Sequence, residues 1–375
     1  MKFNVLLGGI IKKIGLSKLF INTTLGKIFT ISLNNELLIK DKARELLTTL
    51  SPKPEGTSYT TNRILDEKVD LKIIVPAYNV EVYIDECLGS IFSQKTDYTF
   101  SVVVINDGST DNTRKILNKY ERINNLQIID QPNKGFSGAR NRGLKEIDSK
   151  YIMFVDSDDK LEQNAIQSLL KTAFENDADI VEGGYYNFGE KGVISKNVHS
   201  DNKNINPIGN LRGFPWGKVI RSSLFANLKF PEGFWYEDTI FSYLIYPQCK
   251  NASTISDIVY WYRYNPKGIS VTSVKNNKCI DTYWILEQML EDMEKLNIKK
   301  SQETYEMTLF QIHMNFKRTK YMDEAIQKSL FVLSANLLQT QFKNFYTQNN
   351  FYKKLEQALR KNDFKEYFSF CILFN

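Results

Sequence analysis

The chain has 375 residues, 42% of them hydrophobic and 25% charged, and a net charge of +6. That length exceeds one minimal domain, and a mild positive balance without Lys/Arg blocks argues against a nucleic-acid binder and for an anionic ligand or surface. The four cysteines lack metal or redox spacing, which suits a reducing compartment; with only His199 and His313, a His-rich zinc site is excluded. No stretch reaches the ~20 apolar residues of a membrane-spanning helix.

Residues 1–50 read as helical and one-sided. Lys2, Lys12, Lys13, Lys18 and Lys27 precede the first acid, Glu36, while Val5, Leu6, Ile10, Ile14, Leu19 and Phe20 form an apolar face. Such a segment either lies on an anionic membrane or docks on its own protein. The apolar run 3–11 is short, is followed by lysines and lacks a cleavage site, so it is not read as a signal peptide. Residues 51–67 hold Pro, Gly, Ser and Thr and read as a linker, with a boundary near Glu67.

Strand and helix then alternate: strands at 71–75, 100–105, 126–130 and 151–155, helices at 81–94, 112–123, 137–147 and 161–176, and a further strand at 180–186. Alternation at this pitch builds a parallel sheet. From 281 onward four helices are expected, at 281–296, 302–320, 323–341 and 350–362. The organisation expected is an N-terminal helical segment with linker (1–67), an α/β domain (68–275) and a helical C-terminal region (276–375).

Ligands of open parallel sheets bind at the carboxyl ends of the strands. Here those ends are Pro76-Ala77-Tyr78-Asn79, then Asn106-Asp107-Gly108-Ser109, then Asn133-Lys134-Gly135 with Gly138-Ala139-Arg140-Asn141, then Asp156-Ser157-Asp158-Asp159. Each alone also reads as a turn with a helix cap. Three carboxylates at one turn repel one another unless a cation neutralises them, and few hard oxygen ligands beside a phosphate suit Mg²⁺ or Mn²⁺. A helix start with acids accounts for Asp159 but poorly for Asp156, which directly follows an apolar strand.

The strings IIVPAYN, NDGSTDNT, NKGFSGARNRGL and FVDSDD, followed by PWGKVIRSSLF and YEDTIF, resemble the family 2 glycosyltransferases. The resemblance covers about 200 residues and leaves out both ends. It implies a GT-A-type α/β fold with a mostly parallel central sheet, and inverting sugar transfer from a UDP-sugar to a saccharide hydroxyl, with Mn²⁺ or Mg²⁺ as cofactor. Residue by residue, it implies that Pro76, Tyr78, Asn79, Asp107, Lys134, Gly135, Arg140 and Asp156 bind the nucleotide-sugar. Tyr78 would lie against the base, Asp107 would accept from the uracil N3–H, and Asp156 would hold the ribose. Asp158 would bind the metal. Asp238 would be the base that takes the acceptor's proton, with Glu237 positioning it. Trp216 and Lys218 are candidate acceptor contacts, although Trp216 reads equally well as a buried loop anchor. Where many relatives carry a basic or His-containing diphosphate segment, this chain has Arg263 and Lys267 and no His.

A dinucleotide enzyme would need glycines after the first strand, and a P-loop would need a Gly-Lys-Ser/Thr ending; neither is present. A non-catalytic nucleotide-sugar-binding or interaction protein of the same fold is the alternative, and it would be favoured if Asp158 or Asp238 were missing. The partners expected are a UDP-sugar and a saccharide acceptor, lipid-linked in one version, with peripheral contact at the inner membrane face of the cytoplasm. No nucleic-acid partner is expected, and an oligomer is left open.

Overall fold

The structure is a computed structural model that describes residues 2–13, 15–17, 33, 36–266, 268 and 276–374. The chain divides into two compact units, Glu55–Val271 with Asp292–Ile298, and Met1–Pro54 with Thr272–Glu291 and Lys299–Asn375.

The first unit is a twisted sheet with helices packed on it. Its strands run β1 Leu65–Ala77, β2 Phe100–Asn106, β3 Leu126–Asp130, β4 Ile147–Phe154, β5 Lys160–Leu161, β6 Ile180–Gly189, β7 Gly192–Asn197, β8 Asn202–Ile205, β9 Lys218–Arg221 and β10 Ala252–Arg263. The order is β3-β2-β1-β4-β9-β6-β10-β5. Neighbours from β3 through β4 are parallel, whereas β9 enters antiparallel to both β4 and β6. A strand covered on both faces needs a continuous apolar run, and the second half of β1 is buried throughout. The helix Ile84–Phe92 turns Ile84, Cys87, Leu88 and Ile91 toward the core, and Ala165–Glu175 does the same with Ala165, Ile166, Leu169, Leu170 and Ala173.

Two local expectations shift. The helix read over 137–147 ends at Gly143, because Ile147 and Ser149 are captured as partners of Leu65 and Val69 in β1. The helix read over 112–123 is only Thr113–Leu117, followed by a tight turn. Strands β7, β8 and β9 carry too little periodicity to be marked in the sequence.

The second unit is helical among its described residues. The helix Lys40–Leu50 buries Ala43 and Leu47. Arg44 makes a two-pronged bond to Glu287 (2.7 and 2.8 Å) and lies over the ring of Trp284, whose indole N–H donates to the Ser51 carbonyl at 2.9 Å. A capping box at Ser301 and Thr304 starts Gln302–Thr319. The apolar residues of Phe364–Phe374 are buried inside this unit, with Phe374 half-buried. At the other end Ile11 is buried, and a Cβ on Gly8 would strike Ile372. Ile14, Leu19, Phe20, Lys18 and Lys27 lie outside the described residues, as do the side chains of Val5 and Leu6.

Candidate active site

Parallel register brings the first three strand ends level: Ala77 sits beside Asn106, and Asn106 beside Asp130. The loops that follow are laced together. Asn79, at φ 52°, donates its N–H to Ser109 Oγ (3.1 Å) and accepts from the Thr110 N–H (2.8 Å). Asn tolerates this left-handed conformation better than most residues. Asp107 is 2% exposed; its Oδ1 accepts from Gln131 Nε2 (2.6 Å) and the Lys134 N–H (2.9 Å), so it anchors the third loop as well. Gly108 adopts φ +74°, and a Cβ there would lie 2.8 Å from the Asn133 nitrogen. Tyr78, 47% exposed, and Lys134 and Gly135 stand open at the rim, while Pro76 is buried within β1.

The helix Gly135–Gly143 joins this rim to the segment that leads into Glu237-Asp238. Ser137 Oγ donates to the Pro231 carbonyl (2.8 Å), and the Asn141 amide exchanges two bonds with the Phe230 backbone (2.8 and 2.7 Å). Arg140, 3% exposed on the same helix, donates to Asp156 Oδ1 at 2.9 Å and to Glu237, and lies over the ring of Phe230. Burial disfavours its charge, but the carboxylates of Asp156 and Glu237 outweigh that and hold its pKa above the ordinary value. Tyr236, just before Glu237, has φ 65° and ψ 35°, an uncommon conformation for a bulky residue, and a π-helical turn, Phe241–Ile245, follows. Strained backbone and π-turns concentrate at functional sites.

The acidic turn after β4 is held from β10. The Asp156 N–H donates to the Tyr260 hydroxyl (3.0 Å), Asp159 accepts from the Arg263 N–H (2.7 Å), and Arg263 Nε donates to the Asp158 carbonyl (2.6 Å). Burial, with Asp156 close by, raises the pKa of Asp158 against the lowering effect of Asn265, whose amide donates to it at 3.0 Å. Asp159 is raised well above the carboxylate range by burial and by Asp158 and Asp156. The donors of the turn are hard oxygens, which fits Mg²⁺ or Mn²⁺. Among the described residues no group of three His, Cys, Asp or Glu side chains encloses a metal position, so a cation would take its other oxygens from a ligand.

Other candidates are placed differently from the sequence expectation. Trp216 is buried in a ring stack with Phe214 (4.6 Å), Tyr260 (4.6 Å) and Tyr262 (5.1 Å); the anchor reading replaces the acceptor platform. Lys218 is 0% exposed, ion-paired with Glu182, and donates to Tyr246 Oη (2.8 Å) and the Arg212 carbonyl (2.6 Å), so it offers no surface to an acceptor. The Arg263 guanidinium binds Glu86 and lies between the rings of Tyr83 and Phe188, clamping the turn. Lys267 lies outside the described residues. Sequence reasoning missed Tyr260 and Glu182; the latter had a signal, a single acid in an otherwise apolar strand.

The family model "Glycosyl transferase family 2" matches residues 72–230. Glycosyltransferase GlyA of Streptococcus pneumoniae is 33% identical over 225 residues, which are 55% of this chain and 32% of that protein. The poly(ribitol-phosphate) beta-glucosyltransferase of Bacillus spizizenii is 30% identical over 264 residues, 67% of this chain and 41% of that protein. The chain thus spans about a third of one relative and two-fifths of the other. The crystal structure of S. aureus TarS 1–349 in complex with UDP-GlcNAc superposes with a TM-score of 0.63 at 22% identity, over 80% of this chain and 89% of that one, a likeness of fold.

Proposed function

Since residues 72–230 belong to glycosyl transferase family 2, we propose that this protein is an inverting glycosyltransferase that moves a sugar from a UDP-sugar to a hydroxyl of a cell-surface polymer or glycoconjugate. The observation that carries the reading is Arg140, whose one guanidinium holds both Asp156, at the nucleotide-binding strand ends, and Glu237, beside the candidate base. A residue that ties the two halves makes one site of them.

In this reading Tyr78 and Asp107 take the uracil and Asp156 the ribose. Asp158 would hold Mg²⁺ or Mn²⁺, which would supply Lewis-acid stabilisation of the leaving UDP. Glu237, fixed by Arg140, sets the turn so that Asp238 accepts the proton from the acceptor hydroxyl. The acceptor oxygen bonds to the anomeric carbon as the bond to the diphosphate breaks on the opposite face, which inverts the configuration. The relative named as a poly(ribitol-phosphate) beta-glucosyltransferase supports a polymer acceptor.

The basic N-terminal segment would hold the enzyme peripherally on the inner, anionic membrane face, where each lysine contributes on the order of 1 kcal/mol. Sedimentation with anionic vesicles that weakens with salt and on removal of residues 1–33 supports this; no binding at low salt refutes it. The function is tested by incubating the protein with a panel of UDP-sugars and Mn²⁺ and measuring UDP release, then repeating with Asp238→Asn. Turnover should fall by ~10²–10⁴-fold with donor binding nearly intact. Near-normal turnover of that variant would remove Asp238 from the role.

A further inference from the structure

The acidic turn crosses the end of the sheet instead of joining neighbouring strands. The chain leaves β4 at Phe154 and returns as β5, where Lys160 and Leu161 pair with Trp261 and Tyr260 of β10; β9, β6 and β10 stand between β4 and β5 in the sheet. A segment of that kind has no ladder of its own, so its form is set by whatever else satisfies its polar groups. From β10, the Tyr260 hydroxyl takes the Asp156 N–H, the Arg263 N–H holds the Asp159 carboxylate, and Arg263 Nε holds the Asp158 carbonyl. These bonds fix the backbone and Asp159. None of them touches the Asp158 carboxylate, the group read as the cation's ligand. That carboxylate accepts, at Oδ2, from the Asn265 side-chain amide at 3.0 Å, the one side-chain donor to it among the described residues.

We propose that Asn265 is a positioning residue for cation binding: its side-chain amide turns the Asp158 carboxylate so that the group meets the metal in one orientation. This rests on the reading of Asp158 as the residue that holds Mg²⁺ or Mn²⁺. A bond to one carboxylate oxygen fixes the plane of the group and leaves the other oxygen for a ligand. The donor is neutral, so it orients the carboxylate without cancelling its charge, as a lysine or arginine in the same place would. A partner one bond behind a metal ligand sets that ligand's direction and its hold on the ion. Asn265 is itself held. Its carbonyl accepts from the Gly268 N–H at 3.0 Å, and Pro266 fixes the backbone angle that follows it. Asn first, Pro second and Gly fourth is the order a tight turn favours. The amide therefore starts from a set backbone and costs little to order when the metal arrives.

The experiment measures Mn²⁺ binding to the full-length protein in the presence of UDP, read from the electron paramagnetic resonance signal of free Mn²⁺. The parent is compared with Asn265→Leu, Asn265→Gln and Asp158→Ala, with UDP affinity in excess chelator measured alongside. Asn265→Leu keeps the size of the side chain and removes the donor; its Mn²⁺ affinity should fall about tenfold or more, while its metal-free UDP affinity stays within about twofold. Asn265→Gln, which retains an amide, should recover part of the loss. An Asn265→Leu protein that binds Mn²⁺ as tightly as the parent overturns the proposal and leaves Asn265 a loop anchor. An equal fall in metal-free UDP affinity overturns it too, because the whole site has then collapsed. Should Asn265→Leu not fold, Asn265→Ala removes the same donor with less bulk and carries the same two outcomes. Undiminished Mn²⁺ binding by Asp158→Ala removes Asp158 from the metal role and this inference with it. Loss of Mn²⁺ by Asp158→Ala beside parent-like binding by Asn265→Leu removes only this inference.

Discussion

Replacing Arg140 with Met keeps most of the side-chain volume and deletes the charge that joins the two halves of the site. Two carboxylates lose their counter-charge at once, Asp156 with 26% of its side chain exposed and Glu237 with 14%. Breaking a fully buried pair by removing one partner costs about 3–5 kcal/mol, and the residual solvation here argues for the lower end, ~3 kcal/mol. In a unit of this size each kcal/mol shifts Tm by about 2–4 °C, so a drop of about 6–12 °C is expected in a thermal melt. UDP affinity should fall by about ten- to a hundredfold, equivalent to roughly 1.4–2.8 kcal/mol, as Asp156 loses its orientation. Arg140→Lys, with a single ammonium in place of a two-armed fork, should recover only part of either loss. A melt within about 2 °C of the parent together with unchanged UDP affinity would refute the view that Arg140 organises the site.

Chelator should abolish UDP release and Mn²⁺ or Mg²⁺ should restore it, with Asp158→Ala weakening UDP binding in the presence of metal; full turnover in excess chelator removes Asp158 from the metal role. Gly108→Ala forces a Cβ into a left-handed backbone conformation 2.8 Å from the Asn133 nitrogen. It should cost ~1–3 kcal/mol in a denaturant titration and weaken UDP binding through the displaced Asp107; an unchanged midpoint contradicts the backbone argument. His313, half-buried among the rings of Phe351, Tyr352 and Phe370, has its pKa lowered to about 4 by desolvation, with smaller effects from Lys317 and Lys12. The unfolded chain therefore takes up a proton near pH 6.5 while the folded one does not. Stability should fall from about pH 6.5 to about 4, by on the order of 3 kcal/mol in all, and His313→Leu should flatten that part of the urea-midpoint profile.

Sequence alone determined those parts of the protein that depend on neighbours along the chain. Apolar β-branched runs such as 71–75 and 100–105 can be satisfied only in the middle of a sheet, and the polar residues at their carboxyl ends then have one place to go. The strand ends that gather Asn79, Asp107 and Asp156 were legible for that reason, as were the first four of the five helices described from residue 281 onward; Phe364–Phe374 was not marked. Tertiary structure decided whatever depends on partners distant in sequence. β9 is four residues long and has no pattern of its own; it is a strand because β4 and β6 offer it unpaired edges. In a Pro-Trp-Gly-Lys string Trp216 reads equally as an acceptor contact or a buried anchor and Lys218 as an acceptor contact, and the choice falls only when Tyr260 and Glu182, from β10 and β6, pack against them. Arg140 shows the same division: its motif marked it as important, but that its two arms reach Asp156 and Glu237, sixteen and ninety-seven residues away, depends on a packing of helix against loop that no local spacing encodes. Burial and pairing are properties of the folded surface, so the charges that organise this site became readable only once the sheet had brought them together.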